Sequence, residues 1–109
     1  MNAVKSDVEK LVQKELESAN QRFPMFRSDH EASAVIVEEI EEAKEEIEEL
    51  EDNFHNLWSL VKDNDTRSSA YAGWVFTSSV RLACEAIQVA AMAQKFMDSQ
   101  KEREKSEGN

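Results

Sequence analysis

Two glycines and one proline in 109 residues leave this chain few places to turn. Those two residue types are the strongest local breaks in regular structure, so a chain that nearly lacks them is expected to be helical almost throughout. Three helices are predicted. The first, about Ala3 to Asn20, places Val4, Val8, Leu11, Val12 and Leu16 on one stripe. It ends before Gln21-Arg22-Phe23-Pro24-Met25-Phe26, because Pro24 cannot continue a helix and the aromatic residues can fold a short loop onto the core. Ser28 or Asp29 then offers a side-chain oxygen to cap the second helix.

The second helix, about His30 to Lys62, carries the clearest periodicity: Ile36, Ile40, Ala43, Ile47, Leu50, Phe54, Leu57 and Val61 alternate steps of four and three. This is an a/d seam, which predicts packing along the whole length against near-parallel or antiparallel partners. Asp63-Asn64-Asp65-Thr66 interrupts it and supplies caps. The third helix runs from about Arg67 to Lys101, with Trp74 to Met97 apolar on most faces, as suits a central bundle helix or an oligomer interface. The charged residues 102–109 are expected to fray as a tail. The fold class is therefore all-α, one domain over 1–109, with three main helices in an antiparallel bundle. Its apolar surface exceeds what two neighbours can cover, so oligomerisation into four-helix-bundle-like cores is expected to complete it.

Charge narrows the partners. A formal net charge of -10 and a pI near 4.6 oppose binding along a nucleic-acid backbone, which requires a basic patch. Cys84 is the only cysteine, so no intrachain disulfide forms, and Leu82 and Ala83 beside it predict a buried, reduced thiol in a cytoplasmic protein. The opening MNAVKSDVEK has no apolar leader segment, and no apolar run is long enough to span a bilayer.

The chemistry concentrates in carboxylates. Glu38, Glu39 and Glu42 stand three and four residues apart, so they share a helical face and can converge. By itself such a run in an acidic helix is most simply a solvated face. Glu85 is different, because Leu82, Ala83, Ala86, Ile87 and Val89 surround it and a carboxylate in apolar surroundings requires a partner or a metal. Gln88 lies one turn further on the same face and Arg81 one turn earlier. An Arg81 to Glu85 ion pair within the helix is the competing explanation. If the two helices pack together, oxygens from both meet in a set suited to a hard divalent cation such as Mg2+.

The pattern Glu38-Glu39-Ile40-Glu41-Glu42, followed by Glu85-Ala86-Ile87-Gln88-Val89-Ala90-Ala91-Met92, resembles the MazG-like branch of the all-α nucleoside triphosphate pyrophosphatases, most of all the short phage forms. Phe23-Pro24-Met25-Phe26 and His30-Glu31 are similar to an aromatic-proline loop and a His-Glu pair that precede the motif in phage relatives. The resemblance covers about Phe23 to Met97. It implies that Glu38, Glu39 and Glu42 fill an EExxE motif, that Glu85 opens an ExxD motif, and that these four are catalytic metal ligands for Mg2+, with Mn2+ as a substitute. Gln88 falls where the family places Asp, offering a neutral oxygen in place of a charged one. The gap between Glu42 and Glu85 is also longer than the family's.

The implied activity is Mg-dependent hydrolysis of a (d)NTP to (d)NMP and pyrophosphate, by a dimer or tetramer in the cytoplasm, the host's if the chain is phage-encoded. One of the carboxylates, or Glu46, is the candidate general base. Arg81, Lys95, Lys44 and Lys62 are, in that order, candidate phosphate contacts, each more often a surface residue than a site residue. Trp58, Trp74, Phe26 and Tyr71 are candidate stacking faces for the base. The rival reading is an inactive, acidic helical binding protein that sequesters a nucleotide or blocks a host protein, and a third is a structural coiled-coil factor.

Overall fold

The computed structural model describes residues 4–107, and the regular structure among them is helical: α1 (Lys5–Arg22), α2 (Asp29–Lys62) and α3 (Ser68–Glu107). The ends of these helices follow from a few side chains. Phe23 turns to an extended backbone and donates its N–H to the Ala19 carbonyl at 2.9 Å, after which Pro24 has no N–H to give. Ser28 is the cap of α2, its Oγ accepting from the Glu31 N–H at 3.1 Å, while Asp29 lies in the first turn. At the other end Asn64 takes a left-handed conformation with φ of 54°. There the Asp65 N–H reaches the Leu60 carbonyl and the Asn64 N–H that of Val61, which together make a Schellman closure. Asp65 then accepts from the Arg67 N–H at 2.9 Å and turns the chain into α3.

α3 continues to Glu107, so residues 102–107, expected to fray, extend the helix; Gly108 and Asn109 lie outside the described residues. The reason is Arg103. Its guanidinium donates to the Phe26 carbonyl at 2.9 Å and pairs with Asp29.

The chain divides into two compact units, one of Met1–Ile40 with Ala86–Asn109 and one of Glu41–Glu85. The first holds the core: Leu16, Ala19, Phe26, Ala32, Ala91 and Met92, with Val12, Val35, Ile36 and Phe96 packed against it. Ala32 and Ala91 are among its most enclosed residues, and small side chains at such places let helices approach closely. The Phe26 loop is fastened to α3 through a buried hydrogen bond from the Phe26 N–H to Ser99 Oγ at 2.9 Å.

The second unit is an antiparallel pair of helical segments. Asn53 Nδ2 donates to the buried Ser78 Oγ at 2.7 Å, and Arg81 reaches Glu49 at 3.7 Å. Half the expected seam is engaged here. Ala43, Leu50 and Leu57 are partly buried, whereas Ile47, Phe54 and Val61 remain 40%, 55% and 45% exposed. Only one partner helix lies within this unit, and one helix covers a stripe narrower than the apolar band of α2. Cys84 is exposed, against the buried thiol expected from its neighbours. It follows Phe76 and Val80 at four-residue steps, and those two side chains are exposed as well.

Candidate metal centre

Two turns of helix and one packing contact assemble the acidic cluster. Within the second unit, Glu42 on α2 and Glu85 on α3 bring carboxylate oxygens within 4.8 Å of each other. Glu39 stands one turn before Glu42 on the unbroken α2, at the i to i+3 spacing that puts both carboxylates on one face. Glu39 and Glu85 are half-buried and Glu42 is exposed.

These residues fit Mg2+. The ion takes oxygen ligands at about 2.0–2.1 Å, and hard carboxylate oxygens that lie within 4.8 Å of one another are the donors it prefers. Glu46, one turn beyond Glu42, adds a carboxylate with one oxygen, Oε2, closed off from solvent and without a hydrogen-bond partner among the described residues. Acidic groups drawn together gain from a cation, which offsets their mutual repulsion.

The other residues singled out in the sequence lie at varied distances from this cluster. Glu38 is exposed and outside the group of converging oxygens. Gln88 is half-buried, one turn after Glu85 on α3. Arg81, exposed, is engaged with Glu49 across the helical pair. Lys44 is exposed two residues after Glu42, a spacing that points it away from the Glu42 face. Trp58 stands sixteen positions after Glu42, about 24 Å along the helix axis at 1.5 Å per residue, with the Lys62 ammonium 5.9 Å above its ring.

Lys95 is the largest departure from expectation. It is 2% exposed, the largest fully buried side chain described, where the sequence favoured a surface residue. Its Nζ lies 5.0 Å above the Phe26 ring. Burial pushes its pKa below the ordinary lysine value, and the charge of Glu31 opposes that shift. Lys95 also lines a cavity of about 410 Å3 that belongs wholly to the first unit. Ala19, Phe23, Pro24, Phe26, Val35 and Met92 make its apolar wall, while Glu31, Glu39, Gln88 and Arg22 add polar groups. Neither the cavity nor the enclosure of Lys95 was expected from the sequence. The available signal was the four-residue step from Ala91 to Lys95 to Ser99, now seen to be one buried stripe.

No helix among the described residues is long and apolar enough to cross a membrane. No protein-family model, curated protein or solved structure matches the chain.

Proposed function

We propose that this chain is a metal-dependent nucleotide pyrophosphohydrolase, cleaving a (d)NTP to (d)NMP and pyrophosphate. The observation that carries the reading is the approach of Glu42 and Glu85 from two helices to within 4.8 Å, with Glu39 one turn away. The resemblance to the MazG-like pyrophosphatases adds to it, on the residues Glu38, Glu39, Glu42 and Glu85 with Gln88 in the last position.

A bound Mg2+, or Mn2+ in its place, supplies charge neutralisation at the phosphate oxygens and a lowered pKa for the attacking water. Glu39, Glu42 and Glu85 are the carboxylates that would hold it, and Gln88 would add a neutral oxygen. Glu46, with its unbonded Oε2, is the carboxylate best placed by sequence to take a proton from water. One water is consumed in each turnover. Its oxygen joins phosphorus, the bond between the α- and β-phosphoryl groups breaks, and the proton leaves through the carboxylate.

The active form is a homo-oligomer. Ile47, Phe54, Trp58 and Val61 on α2, and Phe76 and Val80 on α3, are apolar side chains 40% to 71% exposed, more than a monomer of this size ordinarily leaves in water. The same surfaces serve the rival reading of an inactive binding protein, and turnover decides between the two. The test is pyrophosphate release from a panel of ribo- and deoxyribonucleoside triphosphates with Mg2+, Mn2+ or EDTA. Release that requires metal and disappears in Glu42→Ala supports the hydrolase. Absence of release with every nucleotide and metal returns the chain to the class of binding proteins.

A further inference from the structure

We infer that the cavity of the first unit is a binding site for small, uncharged aldehydes with an apolar body, captured reversibly as imines on the Lys95 amine. Neither a metal ion nor a nucleotide is needed for it. Three observations meet at this residue. The Lys95 side chain is 2% exposed, on one buried stripe of α3 with Ala91 and Ser99. It lines a cavity of about 410 Å3, a volume in the range of small-molecule sites, whose wall is largely Ala19, Phe23, Phe26, Val35 and Met92. Its Nζ stands 5.0 Å above the Phe26 ring, and that ring is itself part of the wall. A lysine ordinarily carries its charged end out to water, whereas this one meets an aromatic face.

Burial favours the uncharged amine at Lys95. An uncharged lysine amine in an apolar pocket is the nucleophile of Schiff-base chemistry. The charge of the ligand follows from the other groups. Glu15 and Arg22 of α1 and Glu31 and Glu39 of α2 line the same cavity, so an anionic ligand meets more carboxylates than cations. A neutral aldehyde avoids that repulsion. Its oxygen accepts from the ammonium while Lys95 is protonated, and its carbon takes the nitrogen lone pair once the proton has left. A C–N bond forms as the carbonyl π pair moves to oxygen. The carbinolamine then loses that oxygen as water, with both hydrogens of the amine, and leaves C=N. No oxidant or reductant enters, and water reverses the step. Phe23, 62% exposed and part of the wall, marks the side open to solvent.

The test is reductive trapping on the full chain in EDTA near neutral pH. Benzaldehyde is supplied with sodium cyanoborohydride, which reduces an imine to a stable benzylamine, and each lysine is then followed by peptide mass spectrometry. Glyoxylate, an aldehyde that carries a carboxylate, is run in parallel. The benzyl group is expected at Lys95 at least about tenfold faster than at Lys10, Lys44, Lys62 or Lys101, which are exposed lysines of the same chain. That preference is expected to vanish when the chain is unfolded in guanidinium, and glyoxylate is expected to show none. Labelling of Lys95 no faster than the exposed lysines overturns the inference. So does a preference that persists in guanidinium, or one that glyoxylate shares.

Discussion

The two units of this molecule solve the same packing problem with different completeness. In the first, α1, the Phe26 loop, the start of α2 and the second half of α3 enclose Leu16, Ala19, Ala32, Ala91 and Met92, and the loop is fastened where Arg103 donates to the Phe26 carbonyl and the Phe26 N–H donates to Ser99 Oγ. In the second, only segments of α2 and α3 are present, the buried polar contact is Asn53 to Ser78, and the apolar rows through Phe54 and Phe76 face water. The closed unit has a cavity lined in part by a buried lysine, while the open one carries the acidic pair and exposed apolar side chains. The two differ in how many helical segments surround each apolar stripe of α2.

The sharpest contrast is expected from substituting one residue in each. Leu16→Ala, in the closed unit, is expected to cost about 2–5 kcal/mol in chemical denaturation, since it leaves a cavity in a small core. Phe54→Glu, in the open unit, is expected to leave helicity intact and lower the association state by sedimentation velocity. Equal destabilisation by both would mean that Phe54 is a core residue of the monomer.

Arg103→Ala comes next. It removes the donor to the Phe26 carbonyl and the partner of Asp29, so a loss of about 1–2 kcal/mol is expected, together with faster amide exchange over residues 102–107. Unchanged exchange there would show that the end of α3 holds without this anchor.

The smallest effect is electrostatic and lies in the turn of the open unit. Arg67 holds the Asp65 carboxyl at a pKa of about 2, below the ordinary 3.8, chiefly through its side-chain hydrogen bonds. Because the folded value is depressed, the contribution of this group is complete above pH 3.8 and is lost as pH falls toward 2. An NMR titration of Asp65 is expected to show a midpoint near 2, returning toward 3.8 in Arg67→Ala. A wild-type midpoint already at the ordinary value would contradict the bond.

What could be read in the sequence follows a physical divide. The helices, the break at Pro24 and the turn around Asn64 were legible because their causes lie within a few residues: period, a missing N–H, tolerance of positive φ. The carboxylates at positions 39 and 42 were legible as a face, and Glu85 as a carboxylate whose apolar neighbours call for a partner. The anchor at Arg103 was not, since its partners lie 74 and 77 positions away. Cys84 was placed wrongly by its sequence neighbours, because a helix turns about 100° per residue and adjacent residues do not share a face. Lys95 looked like a surface cation for a related reason. Its enclosure comes from the Phe26 loop folding over α3, a contact that no local pattern announces.

The most direct test of the metal centre is Mn2+ binding followed by electron paramagnetic resonance on the wild-type chain, Glu42→Ala and Glu85→Gln. The account predicts saturable binding by the wild type, weakened at least about a hundredfold by either substitution, and displaced by excess Mg2+. Binding of equal strength in all three chains, or none in the wild type, would contradict the claim that Glu39, Glu42 and Glu85 hold a catalytic cation.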